Sequence, residues 1–233
     1  MAAEPKKFRH EFKYSLDPLQ LSQLRSRLPA VLAPDPHALP SGAYEVRSLY
    51  FDDYRNSCFY ANEDGHDLRE KFRIRIYDGS DEVIHLELKQ KQNGMTRKLS
   101  CPISRADTER LLKNEPLIWR DDWEALMKKF YIWQQTQLGR PRVIVRYLRI
   151  PFVHPEGNVR VTLDLDITAS SRIEDFFRKE LPGRPVMPLG RDLLEVKYDQ
   201  FLPDHIRHTL QTDGLERVTF SKYYLCRKFG GHI

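Results

Sequence analysis

Charged and apolar residues alternate in three short stretches that share one spelling. HEFKY sets Glu11 and Lys13 two positions apart, HLELKQK does the same with Glu87 and Lys89, and LLEVKYD with Glu195 and Lys197. Side chains of a strand point alternately to opposite faces, so each Glu and its Lys share a side. Phe12, Leu86, Leu88, Leu194 and Val196 take the other side. The same period predicts strands at 44–53 (YEVRSLYFDD), 69–79 (REKFRIRIYDG), 81–91, 95–103, 141–153 and 158–167. Turns at Asp78-Gly79 and Asn93-Gly94 join three of these into a meander, because such pairs adopt the positive φ angles of tight hairpins. Helical spacing appears at 17–28, with Asp17 as cap and Pro18 in the first turn, after Ser104, at 121–139 ending on Gly139, and at 203–212. The Pro-rich stretch 28–42 reads as a loop, and RVTFSKYYLCRK (217–228) as a closing strand or turn.

Strands outnumber helices and successive strands are antiparallel. A one-sided sheet with its charged face in water would explain a single Glu-x-Lys copy. Three copies favour a closed barrel whose apolar faces pack outward against helices and whose charged faces line a wet bore. The expected fold is therefore α+β: an antiparallel closed β-barrel, a tunnel of about eight strands with several packed helices, in one domain spanning 1–233 with its core at about 7–228. Period two then assigns to the bore Arg9, Glu11 and Lys13; Lys71, Arg73 and Arg75; Glu87, Lys89 and Lys91; Arg160, Thr162, Asp164 and Asp166; and Glu195 and Lys197.

Cations exceed carboxylates in that set, and a desolvated cluster of cations is costly without anions to satisfy it. Arg forks and Lys ammoniums suit phosphate oxygens. The remaining carboxylates suit a hard divalent cation, Mg²⁺ or Mn²⁺, that bridges phosphates. The chemistry indicated is metal-assisted phosphoryl transfer, which relies on positioning and charge stabilisation and needs no Ser/His or Cys/His nucleophile. Neither GxxxxGK[ST] nor GxGxxG occurs, which argues against a P-loop or Rossmann site.

Composition narrows the setting. At 40% hydrophobic and 30% charged residues, with a mean hydropathy of -0.60, the chain reads as globular and cytoplasmic, without a signal peptide or an apolar run of membrane-spanning length. A formal charge of +5 suits an anionic partner. Nucleic acid is not expected, since Phe72, Tyr77 and Trp123 read as packing residues and no exposed aromatics are interleaved with the cations. Three cysteines without CxxC spacing suggest neither a disulfide framework nor a zinc site.

FRHEFKY, VRSLYFDD, KFRIRIYDG, HLELKQK, RYLRIPFV, RVTLD, LEVKYDQFLPD and FSKYYLCR occur in an order and spacing that resemble the VTC domain. This is the polyphosphate polymerase domain of the triphosphate tunnel metalloenzyme (CYTH-like) superfamily, and the resemblance runs from about residue 7 to 228. It implies transfer of the terminal phosphoryl of ATP to a growing inorganic polyphosphate chain, with Mn²⁺ or Mg²⁺. By the same resemblance the phosphate-binding residues are Lys13, Arg73, Arg75, Lys89, Lys98, Arg149, Arg160, Lys197 and Lys222. Those carrying catalysis are Arg73, Arg75, Lys89, Lys197 and Glu195, and the metal ligands are Glu195, then Glu11 and Glu87. For Lys98, Arg149 and Lys222 the local pattern allows either face, and motif position alone assigns them. A separate membrane-protein partner at the inner face of a membrane is also implied. Three departures matter, one of them Thr219, which stands just before FSK where a further basic residue would serve chain binding and processive synthesis. Arg9 stands where many hydrolytic members carry the first Glu of Glu-x-Glu-x-Lys, which favours holding a longer anion over two-metal hydrolysis. Asp166 stands where bacterial relatives often have Arg, as an additional ligand or an exposed charge. Metal-dependent hydrolysis of tripolyphosphate or a nucleoside triphosphate is the alternative within enzymes. Non-catalytic sensing of polyphosphate or inositol pyrophosphate is the alternative outside them.

Overall fold

The computed structural model describes residues 7–38, 40–212 and 214–230. Its frame is eight long strands: β1 (Arg9–Leu16), β2 (Tyr44–Asp52), β3 (Arg69–Tyr77), β4 (Ser80–Gln92), β5 (Met95–Pro102), β6 (Arg140–His154), β7 (Val159–Ser170) and β8 (Asp192–Tyr198). Every pairing is antiparallel, in the order β6-β2-β3-β4-β5-β1-β8-β7, and β7 pairs back to β6, closing a barrel. Around it stand α1 (Pro18–Arg27), α2 (Ser57–Glu63), α3 (Arg105–Leu112), α4 (Ala125–Gln137), α5 (Asp204–Thr209) and α6 (Lys222–Gly230). The α+β tunnel barrel expected from the alternation is the fold the chain adopts.

Local chemistry accounts for the joints. Asp78 and Gly79, and likewise Asn93 and Gly94, all have positive φ, so both hairpins close as tight turns. Asp17 and Gln20 form a reciprocal capping box on α1, and Ser104 caps α3 through the Asp107 amide. α4 ends on Leu138 in the left-handed region, followed by Gly139, where a Cβ would sit 2.2 Å from the Trp133 ring.

The barrel is packed from outside. Leu49, Phe51, Phe72, Ile74, Leu86 and Leu88 point away from the bore and meet Leu111, Met127 and Phe130 of α3 and α4. On the opposite wall Val161, Leu163, Leu194 and Val196 meet Leu24 of α1, Leu28 just after it and Ile206 of α5. Each large side chain buried this way is worth about 1.5–3 kcal/mol. The outer shell therefore carries the stability that leaves the bore free to be charged.

Three features depart from the strand and helix expectations. Residues 217–228 do not form a closing strand: only Glu216–Arg217 pairs with β1, and α6 begins at Lys222. Ser221 starts that helix, accepting from the Tyr224 amide, and Tyr223 and Cys226, three apart, enter an apolar cluster with inward-facing Val143, Val145, Ala169 and Leu193. α6 thus packs into the bore at that end. α2 was not expected, since its seven residues carry too short a pattern and bury only Phe59. Asp166 leaves the bore: the β6–β7 register shifts there, Asp166 takes φ 53, and it is exposed.

Candidate functional site in the barrel

The bore holds a chamber of about 1040 Å³. Lys13, Arg73, Arg75, Lys89, Lys98, Arg149, Arg160, Lys197 and Lys222 all line it, as do Glu11 and Glu195. Three carboxylates organise eight of these nine cations, and Arg160 pairs instead with the buried Asp35 at 2.8 Å. Glu87, 1% exposed, accepts from Arg73 Nε at 2.7 Å and Lys98 Nζ at 2.7 Å, with Arg75 at 3.8 Å. Glu11 takes Lys89 at 2.7 Å, Lys13 at 3.1 Å and Lys197 at 3.5 Å, and the Thr96 hydroxyl donates to it. Glu195, 4% exposed, takes Lys197 at 2.9 Å, Lys222 at 3.1 Å, Arg149 at 3.3 Å and Lys13 at 3.7 Å.

A fourth acid, Asp164, is fully buried and serves the cations from behind. Arg149 donates to it through Nε and Nη2 at 2.7 and 2.8 Å, and Lys222 lies 2.6 Å away. Period two had placed Asp164 in the bore, and its anchoring role follows from partners on β6 and α6. Hydroxyls hold the remaining guanidinium edges: Arg73 donates to Tyr50, Arg75 to Ser48 and Tyr147, and Arg160 to Tyr44. These tyrosines escaped sequence reading, although the parity of YEVRSLYFDD sets Tyr44, Ser48 and Tyr50 on one face. Arg47, on the opposite face, is instead buried against the Phe176 and Arg178 carbonyls.

The electrostatics follow from burial and charge together. Burial alone would raise Glu11, Glu87 and Glu195, but the surrounding Lys and Arg hold all three well below the usual carboxylate range. Burial pushes Lys89 down to about 7 against the pull of Glu11, and Lys98 and Lys71 down to about 8. Lys222 moves upward, since Asp164 and Glu195 outweigh its burial. The chamber thus holds ionised acids and a surplus of cations, some of which keep their charge only with difficulty until an anion arrives.

Among the described residues no three His, Cys, Asp or Glu side chains converge into a metal cage. Mg²⁺ and Mn²⁺ do not require one, being commonly held by one or two carboxylates plus substrate phosphates. Glu11 and Glu195 fit that donor set, since Lys13 and Lys197 each contact both carboxylates, which brings the two acids to one place. Glu87 sits apart from them, enclosed by Arg73, Arg75 and Lys98.

Solved structures share this fold at low identity. A putative adenylate cyclase from Bacillus halodurans superposes with a TM-score of 0.51 at 15% identity, over 88% of this chain and 87% of its own. A putative adenylyl cyclase from Hippeastrum, described as having a dominant triphosphatase activity, gives 0.51 at 16% identity over 94% and 95%. The PH1819 protein of Pyrococcus horikoshii gives 0.50 at 12% identity over 94% and 98%. No curated protein matches the sequence. The family model of the VTC domain matches residues 8–229, the whole barrel and its helices, and the chain belongs to that family.

Proposed function

We propose that this chain is an ATP-dependent polyphosphate polymerase, a phosphotransferase that passes the terminal phosphoryl of ATP to an inorganic polyphosphate chain in the bore. The observation that carries the reading is the surplus of cations over carboxylates in a chamber of about 1040 Å³, larger than a single triphosphate fills. In it Arg73, Arg75, Lys89 and Lys197 bind and orient phosphate oxygens and offset the charge on the equatorial oxygens as the phosphoryl moves. Lys13, Lys98, Arg149, Arg160 and Lys222 hold the flanking phosphates. Glu195 and Glu11 hold the divalent cation, which, when bound, neutralises phosphate charge. Glu87 is better read as the fixed counter-charge that aims Arg73 and Lys98 than as a ligand.

Hydrolysis by water in the same bore is the second reading. What favours it is the neighbouring Glu11 and Glu195, the carboxylates that remain for metal and water when no acceptor chain is bound. The membrane-protein partner implied by the family resemblance gains no support from the described structure; no helix among the described residues is long and apolar enough to cross a membrane.

Incubation with ATP and Mn²⁺, followed for polymer on gels and for free phosphate, separates these readings. Polymer is expected, reduced about 100-fold or more in Arg73→Ala and Glu195→Gln, the scale of losing one transition-state partner. Free phosphate without polymer would replace the polymerase by the hydrolase. Tight polyphosphate binding with neither product would leave a sensor.

A further inference from the structure

A polymer made without a free primer needs an oxygen that accepts its first phosphoryl, and the chamber contains one. Among the described residues three aliphatic hydroxyls line it: Thr96, Thr219 and Ser221. Thr96 gives its proton to Glu11 at 3.2 Å. Thr219 is exposed, whereas Ser221 is half-buried. A serine hydroxyl has one proton and two lone pairs. Ser221 Oγ accepts from Lys71 Nζ and from the Tyr224 amide, each at 3.3 Å, and no acceptor for its proton stands among the described residues. Both contacts are longer than the usual range of about 2.7–3.2 Å, so they aim the oxygen and give way readily when it reacts.

The residues on either side tie Ser221 to the centre of the chamber. The Phe220 carbonyl accepts from Lys13 Nζ at 2.7 Å, and Lys13 also contacts Glu11 and Glu195. Lys222, next along the chain, pairs with Asp164 and Glu195. Lys71 belongs to β3, two strand residues from Arg73 and so about 7 Å along the strand. The hydroxyl is therefore linked on one side to the carboxylates assigned to the metal and on the other to the strand that orients phosphate. The phenols of the chamber are placed otherwise: Tyr44, Tyr50 and Tyr147 are buried and each is taken by a guanidinium.

We propose that Ser221 is a covalent acceptor: its hydroxyl takes the terminal phosphoryl of a nucleoside triphosphate, and a chain made without a free primer begins as a phosphate ester of this serine. The inference rests on the polymerase reading and adds its starting point. In the step the Ser221 Oγ–P bond forms as the bond from Pγ to the β,γ-bridging oxygen breaks. The nucleoside diphosphate leaves with that electron pair, and the hydroxyl proton passes to a non-bridging oxygen of the transferred group and then to solvent. A loose phosphoryl-transfer transition state asks for a well-placed oxygen more than for a strong base. The Lys71 ammonium and the Tyr224 amide then turn to the ester oxygens, where the contacts are charge-assisted. Each further phosphoryl adds to the terminal phosphate oxygen by the same exchange.

The test incubates the protein with γ-labelled ATP and Mn²⁺, once alone and once with short-chain polyphosphate as primer. Polymer is followed on gels, and label that stays with the denatured protein is located by peptide mass spectrometry. Label is expected on Ser221 in the unmodified protein and in Thr219→Ala, to be lost in Ser221→Ala, and to return at this position in Ser221→Thr, which restores an aliphatic hydroxyl. Unprimed synthesis should be lost in Ser221→Ala, and primer should restore polymer to that variant, which also shows that it folds. Primed polymer from the unmodified protein with no label on Ser221, label that persists in Ser221→Ala, or unprimed polymer from Ser221→Ala at the unmodified rate would each overturn the acceptor and leave the polymerase standing. Free phosphate without polymer under either condition would overturn the polymerase, and this chain start with it.

Discussion

Lys71 shows how much a single side chain of the bore depends on its surroundings. Burial holds its ammonium down at about 8, Arg69 and Lys13 push the same way, and Asp52 opposes them. An arriving phosphate favours the charged form, so binding at pH 8 draws protons from the buffer. Affinity for long-chain polyphosphate should fall as pH rises through about 8, and Lys71→Gln should flatten that part of the profile. Calorimetry in buffers of different ionisation enthalpy measures the uptake directly, and no uptake would show that Lys71 is already charged in the free protein. At this scale the sequence was informative where parity decided the outcome. Lys71, Arg73, Lys89 and Glu195 lie in the bore because each belongs to an unbroken alternating run. Asp166 does not, because a bulge shared with β6 interrupts the period, and nothing within RVTLDLD marks that interruption.

Among the elements, α6 differs most from what its sequence suggests. FSKYYLCR contains enough aromatic and β-favouring residues to read as strand. Its helical state is selected by contacts far away in the chain: Tyr223 donates to Asp52, Arg227 to Asn56, and Tyr224 to Glu63. Asp52 is fully buried and also accepts from the amides of Cys58 and Phe59 at the start of α2. The two unexpected elements therefore share one acid. Tyr223→Phe keeps the ring against Tyr50 but removes one donor from that carboxylate. It should cost about 1–3 kcal/mol of stability in urea unfolding, the range for a buried partner lost. Because α6 also carries Lys222 to Asp164 and Glu195, loosening it should lower phosphate affinity as well. A variant as stable as the unmodified protein would show that the apolar cluster alone seats the helix.

For the whole molecule the notable balance is an apolar jacket around an ionised interior. Glu11, Glu87, Glu195 and Asp164 all ionise below their ordinary values in the folded state. In acid the unfolded chain therefore binds more protons than the folded one, and stability rises with pH. This contribution is complete above the unfolded carboxylate range, about 4–4.5. It is lost progressively as pH falls through the depressed folded values. Urea midpoints should be level from about pH 5 to 6 and drop steeply below about 4; midpoints that stay level into strong acid would mean that the network contributes nothing to folding. The alternation of apolar and charged residues, the positive-φ turn pairs and the caps were legible from the chain alone. Period two and turn geometry are local properties of a few consecutive residues. From them followed a barrel turned charged side inward and most of the residues in its bore. Which carboxylate meets which cation depended on the stagger of the strands, as did the burial of Asp164 and the entry of α6. These are relations between residues distant in sequence, and closure of the barrel brings them within a few ångströms.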